Sequence, residues 1–255
     1  MCIFKYQKNY TTKLLNYVSY IRRPQNYSTY RPIGVHNLKP AHLQTVQLTR
    51  LSQNTVSLKC WNCGIERKNV SDLFCESCHT IQNPHERSNY FKVFNLDVTY
   101  DVNQRNLANS YRKMQSVLHP DKFSNKSDIE KEISAEYSSL VNKAYKTLQT
   151  PINRAIHLLS LNNEIISEDN KSDNPEFLME IMELNEEIDQ ANSHEKLKLL
   201  EEKNNLALDE CSKEVSKYFK DGDISKAKEA VIRMKYYNAI SKRINDLMRE
   251  RGIVD

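Results

Sequence analysis

The sequence has few residues that interrupt helices and no long apolar run. Its 255 residues include only 4 Gly and 7 Pro, and 27% of them are charged. Such a composition is typical of a helical protein. No apolar run approaches the ~20 residues that span a bilayer. We therefore expect an all-α protein with no membrane partner.

Acidic residues are absent from the first part of the chain. Residues 1–59 contain nine Lys or Arg and no Asp or Glu, which leaves 28 basic and 33 acidic residues, a net charge of −5, in the remainder. A nucleic-acid-binding protein should keep its basic excess in the folded region, so we expect no nucleic-acid partner. The first 59 residues have the composition of a mitochondrial transit peptide, with a disordered basic tail as the alternative. We expect a transit peptide and disordered segment over 1–59, and a protein of the mitochondrial matrix.

Four of the six cysteines form two C-x-x-C pairs that are separated by eleven residues: Cys60, Cys63, Cys75 and Cys78. Two such pairs suit tetrahedral zinc, because each tight turn presents two thiolates to one ion. Gly64 can adopt the positive φ that the first turn tends to require. We expect residues 60–87 to be a small module that one zinc ion holds folded, because so short a segment cannot bury enough core alone, and we expect the core of the following hairpin to lie elsewhere.

Other chemistries remain open for these cysteines. Two disulfides are disfavoured in a reducing compartment. A thioredoxin-like redox pair would need only one C-x-x-C motif, and no βαβ pattern surrounds it. An iron–sulfur cluster on four cysteines is chemically possible. Because four thiolates leave no open position on zinc, a structural role is favoured, and His79 is expected not to be a ligand.

Two apolar stripes at helical spacing flank the tripeptide His119-Pro120-Asp121. The first stripe is Leu107, Tyr111, Met114 and Leu118, and the second is Ile129, Ile133, Tyr137, Leu140, Ala144 and Leu148. Two amphipathic helices with a short link pack antiparallel as a hairpin. Pro120 cannot continue a helix and keeps His119 out of the α region. The tripeptide is therefore predicted to form an exposed tip of fixed shape.

This hairpin and its flanks resemble a J-domain, the module that docks on DnaK-type heat-shock chaperones and stimulates their ATP hydrolysis. The resemblance rests on Tyr90-Phe91-Lys-Val-Phe94, Leu118-His-Pro-Asp-Lys-Phe123 and the segment 142–148, and we place the J-domain at 88–160. It is most similar to the iron–sulfur branch, the HscB-type co-chaperones. The resemblance implies chaperone binding by the tip and by nearby basic residues: His119, Pro120, Asp121, Arg112, Lys113 and Lys122.

Catalytic residues are not expected. His119 lies next to a carboxylate, but no orienting group or nucleophile is near in sequence, and no Gly-rich phosphate loop is present. ATP would be bound and cleaved by the partner.

The C-terminal part is predicted to be a three-helix bundle over 175–252, after a polar linker at 161–174. Asn174 can cap a helix whose first position is Pro175. On that helix one apolar sector is Phe177, Ile181, Leu184 and Ile188, which suffices for a core. Leu178, Met179, Met182 and Glu186 cluster about a third of a turn or more away. Leu178, Met179 and Met182 are candidates for an exposed patch with Glu183 and Glu186 on its rim, and Tyr236 on a later helix could extend it.

The bundle resembles the C-terminal domain of HscB-type proteins, on the motifs Phe177-Leu-Met-Glu-Ile-Met-Glu183 and Met234-Lys-Tyr-Tyr237. The resemblance implies that the patch binds an iron–sulfur cluster scaffold of the IscU type. It also extends to the cysteine module, which animal members of the family carry. A non-enzymatic co-chaperone is thus expected. The alternative is a general J-protein whose zinc module binds unfolded clients, while a zinc hydrolase or thiol oxidoreductase lacks an open metal position and a base.

Overall fold

The computed structural model describes residues 59–69, 71–167 and 170–252. Within those ranges the protein is all-α, as predicted, with isolated β-bridges in the cysteine module as its only extended pairing. The predicted transit peptide, apart from Lys59, lies outside them. Within the described ranges, no helix is long and apolar enough to cross a membrane. The helices are α1 (Tyr90–Val93), α2 (Gln104–Leu118), α3 (Asp128–Gln149), α4 (Pro151–Leu161), α5 (Pro175–Asp189), α6 (His194–Asp221) and α7 (Ile224–Glu250).

The hairpin of α2 and α3 begins and ends where local sequence chemistry requires. Asn103 caps α2 by accepting the Asn106 N–H, and α2 ends at Leu118 because Pro120 follows. A single 3₁₀ turn, Pro120–Phe123, forms the tip. Ser127 and Glu130 then make a reciprocal capping box at the start of α3.

One residue of the predicted α3 stripe is placed wrongly. Ile129 is 54% exposed, whereas Val141 is fully buried and completes the stripe. The Ser134 hydroxyl donates to the carbonyl of Leu118, so these two residues lie at the same level of the hairpin. Ile129 is five residues earlier, about 7 Å beyond the level at which α2 ends.

Capping also sets the bounds of the C-terminal helices. The Asn174 side chain accepts the N–H groups of Glu176 and Phe177, with Pro175 at the first helical position as predicted. Gly222 ends α6 in the left-handed region at φ 72°, which costs glycine little. Asp223 then caps α7 by accepting the Lys226 N–H. The two long helices are therefore joined by a minimal turn and pack antiparallel.

Two hydrophobic cores hold these helices. The larger core contains Ile81 from the cysteine module, the inner faces of the hairpin, and Val215 and Val231 from adjoining parts of α6 and α7. The smaller core joins α5 to the far parts of α6 and α7 through Leu184, Ile188, Leu197, Leu200, Ile240 and Ile244. Our expectation that the hairpin core lies outside the module is wrong, because Ile81 of the module is fully buried in the same core as the hairpin residues.

Polar contacts tie the J-like part to α6. The Tyr100 hydroxyl lies 2.9 Å from the Ser212 hydroxyl, and Asp101 accepts a hydrogen bond from Ser216 at 2.7 Å. Lys220 pairs with Asp101 at 2.6 Å. The hydrogen bonds from Lys220 and Ser216 lower the pKa of Asp101. These contacts and the larger core join the hairpin and the long helices into one compact unit.

The predicted linker is held against α7. Glu164 forms an ion pair with Lys228 at 2.7 Å, and the carbonyl of Ser167 accepts from the Lys235 ammonium at 3.0 Å. Ile166, although preceded by an Ile165 side chain that is 77% exposed, packs against the larger core. The polar composition of the linker is therefore explained by its exposed side chains, and composition alone did not predict these contacts.

Candidate metal centre and partner surfaces

Each cysteine pair forms a tight turn of the same construction. The Gly64 N–H donates to the carbonyl of Cys60, and the His79 N–H donates to that of Cys75, both at 3.0 Å. Gly64 has φ 74° and His79 has φ 55°, so the two residues occupy the same left-handed position in the two turns. His79 thus has a backbone role, and it is not in the group of possible ligands.

The four thiols converge on one point. All four Sγ atoms lie within 4.8 Å of one another, with Cys60 and Cys78 at 3.6 Å and Cys63 and Cys75 at 3.7 Å. A tetrahedral ion with metal–sulfur bonds of about 2.3 Å would space its sulfurs by about 3.8 Å. The donor set therefore fits a metal such as zinc in both number and spacing.

The electrostatics of the cluster also suit a cation. Hydrogen bonds from the side chain and backbone of Thr80 lower the pKa of Cys78 to about 5. At Cys63 the N–H of Ile65 favours the thiolate, but burial and the neighbouring sulfurs prevail and raise the pKa to about 11. Four thiolates this close repel one another unless a divalent cation neutralises part of their charge.

Side chains outside the motif brace the cluster. The Trp61 indole N–H donates to the carbonyl of Ile81 at 2.6 Å, and Asn62 donates to the Thr80 hydroxyl at 3.0 Å. Both bonds link the first turn to the second. The buried Gln82 amide lies 3.3 Å from the Cys60 sulfur. Sequence reasoning missed Gln82, since nothing in its spacing marks it.

The hairpin tip presents its tripeptide to solvent. His119 is extended at φ −60° and ψ 131°, and its Nδ1 accepts the Asp121 N–H at 3.3 Å. The Asp121 carboxylate is 3.4 Å from the same nitrogen. All three tip residues are exposed, whereas Phe123 is buried and anchors the turn. The tip is thus fixed by backbone geometry and by one buried aromatic ring.

The basic residues expected beside the tip are exposed. Arg112, Lys113 and Lys122 all face solvent. Arg112 donates to the Ala108 carbonyl and to Asn109 on its own helix, which holds its guanidinium along α2. The structure therefore brings a positive surface and the tip to the same end of the hairpin.

Helix α5 has the two predicted apolar sectors, one buried and one on its outer face. Phe177, Ile181, Leu184 and Ile188 are buried. In the second sector Met179 is 55% exposed, Leu178 and Met182 are half-buried, and Glu183 and Glu186 are exposed. Tyr236 is half-buried, and its ring meets the Phe177 ring edge-on at 5.5 Å. The sector is thus accessible, with its two half-buried members also packed on the bundle.

Comparison with known proteins identifies relatives of this chain. Residues 173–245 match the family described as HSCB C-terminal oligomerisation domain. The mouse (Mus musculus) iron–sulfur cluster co-chaperone protein HscB is 37% identical over 74% of this chain and 82% of its own length. An Arabidopsis thaliana homologue is 33% identical over 72% of each chain.

A solved structure is similar over an equal share of the chain. The crystal structure of human co-chaperone protein HscB superposes with a TM-score of 0.70 at 34% identity, covering 74% of this chain and 98% of that one. The chain therefore belongs to the HscB family of iron–sulfur cluster co-chaperones.

Proposed function

We propose that this co-chaperone binds an iron–sulfur cluster scaffold of the IscU type and presents it to a DnaK-type chaperone, whose ATP hydrolysis it stimulates. The observation that carries the proposal is the presence of two exposed surfaces of different chemistry on one compact unit. One is the polar hairpin tip with its basic neighbours, and the other is the Met-rich face of α5.

The tip supplies the chaperone contact. His119, Pro120 and Asp121 form its shape-determined centre, and Arg112, Lys113 and Lys122 provide positive charge around it. These cations would mainly steer and orient the encounter, because exposed charges affect association rate more than affinity. The chain itself needs no catalytic residue, since the chaperone hydrolyses the ATP.

The α5 face supplies the scaffold contact. Leu178, Met179 and Met182 form its apolar centre, Tyr236 extends it, and Glu183 and Glu186 lie on its rim. Methionine suits such a surface because its unbranched thioether adapts to a partner's contour. Residues 175–189 contain six acidic side chains and no Lys or Arg, so a scaffold with basic residues around an apolar centre would be complementary.

The metal is proposed to be one structural zinc ion per chain. Zinc favours four thiolates in tetrahedral geometry, and such a closed site has no position for a substrate. The role that follows is to hold the two cysteine turns together and to keep Ile81 in the hairpin core.

The proposed division of the chain has five parts: 1–59 for targeting and disorder, 60–87 for the zinc module, 88–160 for the J-domain, 161–174 for the linker and 175–252 for scaffold binding.

The acid-free composition of residues 1–59 supports localisation in the mitochondrial matrix. Residues 1–59 fused to a fluorescent reporter should carry it into mitochondria. A reporter that stays in the cytosol would refute this localisation.

The function is tested by capture from a mitochondrial extract with residues 60–255 as bait. We expect the bait to capture one defined scaffold protein and the chaperone. The scaffold protein should be retained in the absence of ATP. A heterogeneous set of unfolded proteins would favour the general J-protein alternative instead. The burial of Ile81 and Cys75, and the partial burial of Trp61, argue against that alternative, because these side chains pack within the fold and are not open to clients.

A further inference from the structure

An open groove lies between the cysteine module and α2. Its volume is about 450 Å³, which is in the range of binding clefts. Ser71 and Leu73, from the segment between the two cysteine pairs, line one wall. Lys113 and Val117 of α2 line the other, and the buried Val93 of α1 lies beneath. The groove is therefore built jointly by the module and the hairpin.

The cation that this groove offers to a partner is Lys113. Lys113 is exposed and forms no ion pair with any residue that the structure describes. Asp72 also lines the groove, and its carboxylate accepts from the Asn69 amide of its own loop at 3.4 Å. Glu86 does not line the groove, and it accepts the N–H groups of the three residues that follow it at 2.8–3.0 Å. A bound segment would best carry an acidic side chain beside apolar ones.

The groove is continuous with the hairpin tip. Val117 is two residues before His119, which corresponds to about 3 Å along the helix. Lys113 is one turn earlier on the same helix. A protein that docks on the tip and on the basic face of α2 would therefore lie over the groove as well.

We propose that the cysteine module forms the second wall of the chaperone-docking surface, with an acidic segment of the DnaK-type chaperone seated between Ser71 and Lys113. The proposal rests on the proposed function, because it extends the surface centred on His119. It gives the zinc ion a further consequence, since the segment that carries Ser71 is held between the two metal-binding turns.

The test uses the full metal-loaded chain and the chaperone with ATP. A photo-crosslinking amino acid at position 71 should form a covalent product with the chaperone, and the same residue at position 65 should not. Ile65 is the matched control, because it belongs to the module, is 50% exposed and does not line the groove.

Charge variants identify the chemistry of the occupant. Ser71→Glu should raise the concentration for half-maximal ATPase stimulation by about fivefold, the effect of one unfavourable contact between water-exposed charges about 4 Å apart. Ser71→Lys should lower it or leave it unchanged, and Ile65→Glu should leave it unchanged. All three variants should keep the maximal stimulation, because none touches the tip.

Two results would overturn the proposal. A chain that stimulates the chaperone normally but gives no crosslink from position 71 would show that the module lies outside the contact. Equal effects of Ser71→Glu and Ser71→Lys would show that the occupant is not acidic. A His119→Gln variant that still stimulates would instead refute the proposed function, whatever position 71 does.

Discussion

The hairpin tip and the outer face of α5 are both exposed, but they are built in different ways. At the tip the three residues proposed to face a partner contribute nothing to the core, and their shape is fixed by Pro120, which is one of them, and by the buried Phe123. On α5 the residues proposed to face a partner alternate with core residues along one helix. Leu178 follows the buried Phe177, and Met182 follows the buried Ile181.

This difference predicts how each surface responds to mutation. A change at the tip alters the contact while the hairpin keeps its stability, because no packed atom is lost. On α5 the half-buried Leu178 and Met182 contribute to both packing and contact, so a change there affects the two together. The tip therefore allows function to be separated from folding, and α5 allows this only by comparing neighbouring residues.

Removal of the metal should have the largest effect and should separate the two surfaces. Replacing Cys60 and Cys63 by Ser should abolish binding of one zinc per chain, which in small modules contributes on the order of 10 kcal/mol of folding free energy. Because Ile81 packs in the hairpin core, ATPase stimulation should fall and the hairpin should melt earlier. Scaffold binding should persist, since α5 packs in the smaller core.

Elemental analysis and calorimetry check this prediction. Iron with visible absorbance in the wild-type protein would refute the structural-zinc assignment. Loss of scaffold binding in a variant that is still helical would show that the two surfaces depend on each other more than their separate cores indicate.

The His119→Gln variant should lose all ATPase stimulation at an unchanged melting temperature. The side chain is exposed and bonds only within the tip, so its replacement removes no buried contact. Scaffold affinity, measured by calorimetric titration, should equal that of the wild type. If the variant unfolds, His119 has a structural role that its exposure does not reveal.

The core side of α5 should respond in stability first. Phe177→Ala removes a ring that is 6% exposed and contacts both Tyr236 and Tyr237 edge-on. We expect a loss of about 3–5 kcal/mol in the free energy of unfolding, as for other aromatic truncations in cores. Urea denaturation followed by circular dichroism measures it. A loss below about 1 kcal/mol would mean that the core stripe is assigned to the wrong face.

The outer side of the same helix should respond mainly in binding. Leu178→Ala combined with Met182→Ala should weaken scaffold binding by about 2 kcal/mol or more, as truncation at a binding hot spot does. Because both side chains are half-buried, stability should fall as well, but by less than in Phe177→Ala. A double variant that melts early yet binds the scaffold normally would show that this sector is packing surface only.

Local chemistry made the tip, the caps and the metal ligands predictable. Pro120, Asn174, Gly222 and the cysteine spacing each act within a few residues, so the sequence pattern contains the information. The joining of the two ends of the chain was not predictable in this way. Helical periodicity shows that Val215 faces a core, and it does not show that this core includes Ile81.

Buried polar groups were missed for the same reason. His157 stacks on the Tyr90 ring at 4.4 Å, and its Nε2 accepts the Tyr90 N–H at 3.1 Å. Asn204 is 1% exposed and donates to the carbonyl of Tyr237 and to the Ser241 hydroxyl. Each depends on a partner tens of residues away, which spacing within one helix cannot reveal.

The long helix α7 takes part in both cores, through Val231 in the larger and Ile244 in the smaller. Its 27 residues span about 40 Å as a rigid strut. A free linker of the length of 161–174 would let its ends separate by about 20 Å, with wide fluctuation. A scaffold on α5 and a chaperone at the tip would instead meet at one fixed separation. Their encounter would become intramolecular. Its effective concentration would be set by the fixed length of the helix and not by the fluctuating length of a flexible linker.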